Sequence, residues 1–270
     1  MNITFIGGGN MAAALIGGML QQGFLASQIK VVEISAENRE RIKREFDIEA
    51  VPALDSCVIG NDVIILAVKP QQLTELAQQL APLLKNQLVI SIAAGIRATD
   101  ISRWLGGYPR IVRAMPNTPA LVRAGVTGLY ALPAVNEQEM KDAETILAAV
   151  GTVLWVGEEE ILHTITAISG SGPAYIFYFI EAMQQAGVEL GLAADQARQL
   201  SLQTFFGAVK LAEQSGEDVA VLRSRVTSKG GTTERAIQTM EKNDIKRKII
   251  CAIHAASARS QELSDEFGKK

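Results

Sequence analysis

The sequence predicts an α/β chain in two parts: a parallel sheet layered with helices over residues 1–157, then an all-α half over residues 158–270. Three observations predict it. Short apolar runs alternate with helical patterns through the first half. The first of these runs leads directly into three glycines and a helix. After Trp155-Val156-Gly157 no strand pattern recurs.

Taken in order, Asn2–Ile6 reads as a short buried strand, Gly7-Gly8-Gly9 as a turn and Met11–Leu20 as a helix. Glycines let a backbone approach phosphates closely, and a helix start offers them free N–H groups and partial positive charge. The match to G-x-G-x-x-G/A is Gly7, Gly9 and Ala12. A tight, ligand-free turn is the competing reading. Ile29–Glu33 is a second strand, followed by the charged helix Ala36–Glu45. Asp62–Val68 is nearly all apolar, as a central parallel strand should be. Pro70 opens a helix over Gln71–Leu84; Leu88–Ile92 and Ile111–Ala114 are further strands. Ligands of such sheets sit at the carboxyl ends of the strands. Gly7–Met11, Glu33–Ser35, Ala67–Pro70, Ser91–Gly95 and Ala114–Pro119 are therefore expected to converge on one cleft.

In the second half Ser171-Gly172-Pro173 starts a helix, with the proline suited to its first turn. Ala174–Gln185 is apolar nearly all round, so it should be buried on every side, against a partner subunit. Asp195–Gln214 and Ile245–Leu263 are two more helices. Between them, Thr227-Ser228-Lys229-Gly230-Gly231-Thr232-Thr233 reads as a loop entering the helix Glu234–Met240. Its N–H groups and hydroxyls would suit a carboxylate. Thr232 or Thr233 serving merely as an N-cap is the competing reading.

Composition excludes several classes. The net charge of -3 carries no basic footprint, so no nucleic-acid partner is expected. No apolar run is long enough to span a bilayer, and no basic region precedes the first one, so neither membrane nor signal peptide is expected. Cys57 and Cys251 lie far apart, which fits a reducing cytoplasm. His163 and His254 lie in unrelated segments without HExxH, so no metal site is expected, and His163 reads as a packing residue. Glu158-Glu159-Glu160 reads as a charged first helical turn, and Lys246-Arg247-Lys248 as a solvated helix face.

Six segments together resemble the pyrroline-5-carboxylate reductase family: FIGGGNM (Phe5–Met11), AVKP (Ala67–Pro70), SIAAG (Ser91–Gly95), RAMPNTPA (Arg113–Ala120), SGSGPAY (Ser169–Tyr175) and VTSKGGTTERAI (Val226–Ile237). The resemblance implies a Rossmann-like dinucleotide-binding domain followed by an all-α helical C-terminal dimerisation domain. It also implies dimers that often assemble further, commonly to decamers. The implied reaction is reduction of 1-pyrroline-5-carboxylate to L-proline by a nicotinamide hydride, the last step of proline biosynthesis. Gly7, Gly8, Gly9, Asn10, Met11, Ser35, Ala67, Val68, Lys69, Pro70, Ala93, Ala94 and Gly95 would then bind the cofactor, with Pro116 and Asn117 at its nicotinamide end. Ser171 would shape the wall near the substrate. Gly230, Gly231 and Thr232 would present N–H groups to the substrate carboxylate. Thr233 would place its hydroxyl at the ring nitrogen as the catalytic, orienting group.

The cofactor expectation is NADPH, with NADH also accepted. An acid at Glu33, roughly twenty residues beyond the glycine turn, takes ribose hydroxyls and repels a 2′-phosphate; Ser35 and Arg39 could hold that phosphate. A solvated strand end is the other reading of Glu33. Two other functions compete. A different small reductase would carry a lysine or aspartate on the first long helix after the sheet domain, and GPAYIFYFIEAM has no lysine. A nucleotide sensor would have no reason to keep Gly230–Thr233.

Overall fold

The computed structural model describes residues 1–55 and 60–269. Cys57 lies outside the described residues. The strands are β1 (Ile3–Ile6), β2 (Ile29–Val32), β3 (Ala50–Val51), β4 (Val63–Leu66), β5 (Leu88–Ser91), β6 (Ile111–Met115), β7 (Gly125–Ala131) and β8 (Gly151–Trp155). They form one sheet in the order β3-β2-β1-β4-β5-β6-β7-β8. β1 to β6 are mutually parallel, so the carboxyl ends of β2, β1, β4, β5 and β6 share one edge.

The central strands β1, β4 and β5 are buried along their whole length because helices cover both faces of the sheet. On one face α1 (Asn10–Gln21) and α5 (Glu137–Ala148) pack Leu15, Ile16, Met19, Ile146 and Leu147 into a cluster with Phe5 and Ile65. On the other, α3 (Pro70–Leu80) and α4 (Ala98–Trp104) bring Leu73, Ala77, Ile101 and Trp104 to Ile6, Ile64 and Leu66. The charged helix α2 (Ala36–Phe46) buries only Ile42.

Three features depart from the sequence reading. The α3 helix stops at Leu80 and a 3₁₀ turn covers Ala81–Leu83, because Pro82 has no N–H to continue the helical ladder. β7, α5 and β8 extend the sheet where no element was assigned. β7 runs antiparallel to β6, since the connection 116–124 is too short for a parallel crossover.

The chain divides into two compact units, Met1–Ser171 with Ala256–Lys270, and Gly172–Ala255. The second unit holds α7 (Gly172–Glu189), α8 (Ala194–Ser215), α9 (Val219–Arg225), α10 (Thr232–Lys242) and the start of α11 (Ile245–Gly268). The apolar helix is not buried by its own chain. Within α7 only Ile180 is buried, while Phe177 and Tyr178 are 65% and 73% exposed. Phe206, Val209 and Leu211 of α8 are exposed as well. So much bare apolar surface needs another molecule to cover it.

Candidate active site

The glycine turn is fixed by its neighbours. Gly7 sits at φ 100°, and a Cβ there would lie 2.4 Å from the Ala67 carbonyl oxygen, so no other residue fits. Its N–H donates to Val32 O at 2.8 Å, and Ala67 N–H donates to Ile6 O at 2.8 Å. Gly9 occupies the N-cap of α1 with no side chain capping it. The N–H groups of Asn10 and Met11 therefore remain open to an anion.

Beside this turn lies a cavity of about 630 Å³, large enough for a nucleotide. Its walls bring together Gly9, Ser35, Ala67, Val68 and Lys69, as expected from the strand ends. They also include Asn38, Pro52, Gln72 and Leu76, which sequence reasoning missed. Gln72 and Leu76 lie one turn apart on α3, so the helical spacing after Pro70 was the available signal. Ala93, Ala94, Gly95, Pro116 and Asn117 lie at the ends of β5 and β6 on the same sheet edge but do not line this cavity. The backbone of Gly95 faces Leu263 and Phe267 of α11. The tight turn, the uncapped helix start and the cavity together fit the pyrophosphate and adenosine of a dinucleotide.

Glu33 is not a solvated strand end. It is 8% exposed; Gly8 N–H donates to its Oε2 at 2.6 Å and Ser35 N–H to its Oε1 at 2.7 Å. The Ser35 hydroxyl caps α2, accepting from Asn38 N–H at 3.4 Å. Arg39 donates to the carbonyl oxygens of Glu33 and Ile34 at 2.9 and 2.8 Å.

Asn117 acts as a brace. Its Nδ2 donates to Ser169 O at 3.0 Å and its Oδ1 accepts from Val126 N–H at 2.8 Å. The loop after β6 is thereby tied to β7 and to the π-helical turn Thr166–Gly170. That turn ends where Ser171 N–H donates to Thr166 O at 2.8 Å. The amide expected at the nicotinamide end is thus committed within the protein.

Nearby lies a buried charged cluster. Arg113 on β6 is 1% exposed and donates to Glu159 Oε1 at 2.9 Å; the same oxygen accepts from Ala98 N–H at 2.7 Å. Glu159 is therefore no solvated first-turn acid. It neutralises a buried guanidinium, which would be costly alone. His163, on α6 (Ile161–Ile165), is fully buried, with Nδ1 2.9 Å from Ser260 Oγ. Burial first, then the Arg113 charge, push its pKa below the usual histidine value.

In the second unit, Gly231 is the N-cap of α10 and no side chain caps it. Thr232 and Thr233 are the first two helical residues, so neither is the N-cap. Gly230 N–H donates to Glu234 Oε2 at 2.7 Å, and Gly231 N–H to Ser228 O at 3.0 Å. Glu234 is the third helical residue and reaches back in the manner of a capping box. The open first-turn N–H groups are therefore those of Thr232 and Thr233, one step beyond the glycines expected to serve. Thr233 is half-buried and Thr232 exposed.

Residues 159–263 match the family model described as pyrroline-5-carboxylate reductase dimerisation, and residues 2–95 match that of NADP oxidoreductase, coenzyme F420-dependent. The pyrroline-5-carboxylate reductase of Pseudomonas aeruginosa is 46% identical over 268 residues, 99% of this chain and 98% of that protein. The solved pyrroline-5-carboxylate reductase of Coxiella burnetii is 43% identical with a TM-score of 0.92, covering 97% of this chain and 98% of that one. The Plasmodium falciparum pyrroline carboxylate reductase, solved with NADP bound, is 29% identical with a TM-score of 0.87, covering 98% of each chain. On this whole-length likeness the chain belongs to the pyrroline-5-carboxylate reductase family.

Proposed function

We propose that this protein is an oxidoreductase that reduces 1-pyrroline-5-carboxylate to L-proline with a reduced nicotinamide dinucleotide, NADPH or NADH, as the last step of proline biosynthesis. The observation that carries the reading is the uncapped start of α1 behind Gly7, opening beside a nucleotide-sized cavity in a chain of this family. The reduced nicotinamide supplies the hydride when bound.

The remaining work belongs to the chain's own residues. Gly7, Gly8 and Gly9 give the pyrophosphate close access, and the N–H groups of Asn10 and Met11 hold its charge. Ala67, Val68 and Lys69 wall the adenosine, with Pro70 at the start of α3, and Ala93, Ala94 and Gly95 stand farther along the same sheet edge, toward the rest of the dinucleotide. Pro116 bounds the nicotinamide end, in a loop that Asn117 holds in shape. In the second unit the first turn of α10 binds the substrate carboxylate through Thr232 and Thr233 N–H groups, on a loop that Gly230 and Gly231 shape. The Thr233 hydroxyl hydrogen-bonds the ring nitrogen. This orients the C=N bond and favours the charge distribution that accepts hydride at carbon. Positioning carries much of the rate in such a reaction, and no metal is required. Ser171 contributes to the substrate wall.

We read the cofactor half as residues 1–157 and the substrate and dimerisation half as residues 158–270. The bare apolar faces of α7 and α8 support a homodimer, and we propose that dimers assemble further, to a decamer, in the cytoplasm. The test is direct: purified protein, reduced cofactor and the imine should give proline as the reduced nicotinamide disappears. Without proline, the reading fails.

A further inference from the structure

The cofactor cavity holds a residue set that points away from NADPH. We infer that Glu33 makes this chain's adenosine site select NADH over NADPH, reversing the preference expected from the sequence. The inference rests on the reading of the cavity as a dinucleotide site.

Glu33 lies at the cavity wall with Ile34 and Ser35. Each of its carboxylate oxygens already accepts one backbone N–H, from Gly8 and from Ser35. Each oxygen keeps a second lone pair, which a ribose hydroxyl can satisfy by donating. A 2′-phosphate has no such proton at neutral pH and brings like charge against the carboxylate.

Nor can the carboxylate swing aside. Doing so would strip Gly8 and Ser35 N–H groups of their acceptor, at the cost of leaving polar groups unpaired. Gly8 also fixes the geometry from the other side. A Cβ there would meet Ile42 Cδ1 at 2.7 Å and Glu33 at 3.2 Å, so the absence of a side chain is what lets the acid tuck under the turn.

The groups that could hold a phosphate are partly engaged within the protein, which leaves the Ser35 O–H and the remaining Arg39 N–H groups as donors set beside the Glu33 charge. Ser35 Oγ caps α2. Arg39 Nη1 is bound to two carbonyl oxygens, those of Glu33 and Ile34. Arg41 donates to Gly8 O at 2.7 Å and Asn10 Oδ1 at 2.9 Å. Ile34, the next side chain along, is 75% exposed and offers no donor. Glu37 adds a second acid in the first turn of α2. Among the described residues that line the cavity Lys69 is the cation, and it comes from the β4 side.

The experiment measures binding and turnover separately, on the full-length protein. Calorimetric titration with NADH and NADPH, without substrate, should give a dissociation constant at least about ten-fold lower for NADH. The gap should narrow as salt screens the repulsion. Steady-state kcat/KM should favour NADH by a similar factor. In Glu33→Ser the ratio should move toward NADPH by about ten-fold or more. Glu33→Gln, which keeps the side-chain size but removes the charge, should move it the same way if the serine variant does not fold. Equal or tighter NADPH binding by the unmodified protein would overturn the inference. So would an unchanged ratio in a variant with a normal melting temperature. If neither nucleotide binds, the dinucleotide reading itself fails and this inference falls with it. Clear NADH selection without imine reduction would uphold this inference and remove only the assigned substrate.

Discussion

Thr233 separates a chemical role from a structural one. As the second residue of α10 it makes no N-cap bond; Gly231 holds that position. Thr233→Val keeps shape and branching and removes only the hydroxyl. If that hydroxyl bonds the ring nitrogen as hydride arrives, kcat/KM should fall roughly ten- to a thousand-fold, on the order of 1–4 kcal/mol. The melting temperature should hardly move, because no cap is lost, and cofactor affinity should be unchanged. Loss of stability with normal kinetics would contradict the assignment. His163 makes a different prediction. Its folded pKa is lowered from the ordinary 6.5 by burial and by Arg113, against the opposing Glu160 and Glu159. The unfolded chain therefore takes up the proton first as pH falls. The contribution is full above about pH 6.5 and is lost as pH drops through that value toward the folded pKa. Denaturant melts between pH 7.5 and 5 should show this decline, and His163→Asn should flatten it.

At the scale of elements, Asn117 joins the end of β6, the start of β7 and the π-helical turn Thr166–Gly170. Asn117→Ala leaves Val126 N–H and Ser169 O without their partner in a partly buried place. It should cost about 1–3 kcal/mol, read as a lower midpoint in chemical denaturation. Asn117→Asp keeps the acceptor for Val126 but loses the donor to Ser169, and should recover part of that loss. The elements that the sequence made legible are those whose burial shows in composition. β4 is a continuous apolar run, β1, β2, β5 and β6 are apolar but for one residue each, Thr4, Lys30, Ser91 and Arg113, and α1 follows a glycine turn. β7 was not legible because Gly125 and Gly128 interrupt its pattern, and β8 because its alternating half-burial marks an outer strand. The brace at Asn117 was not legible either, since its partner Ser169 is 52 residues away. The same holds for the Arg113–Glu159 pair, where a run of three acids reads as solvated until a buried arginine is found beneath it.

Over the whole molecule, the candidate cofactor site was more legible than the candidate substrate site. Gly9, Ser35, Ala67, Val68 and Lys69 reach the cavity because a parallel sheet gathers its strand ends at one edge. Asn38, Gln72 and Leu76 did not announce themselves, because they lie inside helices whose facing surfaces depend on packing. At the GGTT loop, residue types marked the candidate segment, and the structure adds that Glu234 takes the Gly230 N–H, which leaves the N–H groups of Thr232 and Thr233 open. The second unit also fixes the expected assembly. Its bare helix surfaces predict that Phe177→Glu will turn dimers into monomers or unfold the chain, as sedimentation velocity would report. A stable, active monomer of the unmodified protein would contradict that account. The central claim is imine reduction, and one measurement tests it most directly. The protein is mixed with reduced nicotinamide cofactor and 1-pyrroline-5-carboxylate, and nicotinamide absorbance and proline are followed together. The account predicts a one-to-one loss of reduced cofactor and gain of L-proline, strongly diminished in Thr233→Val. Cofactor that binds yet stays reduced in the presence of the imine would contradict it.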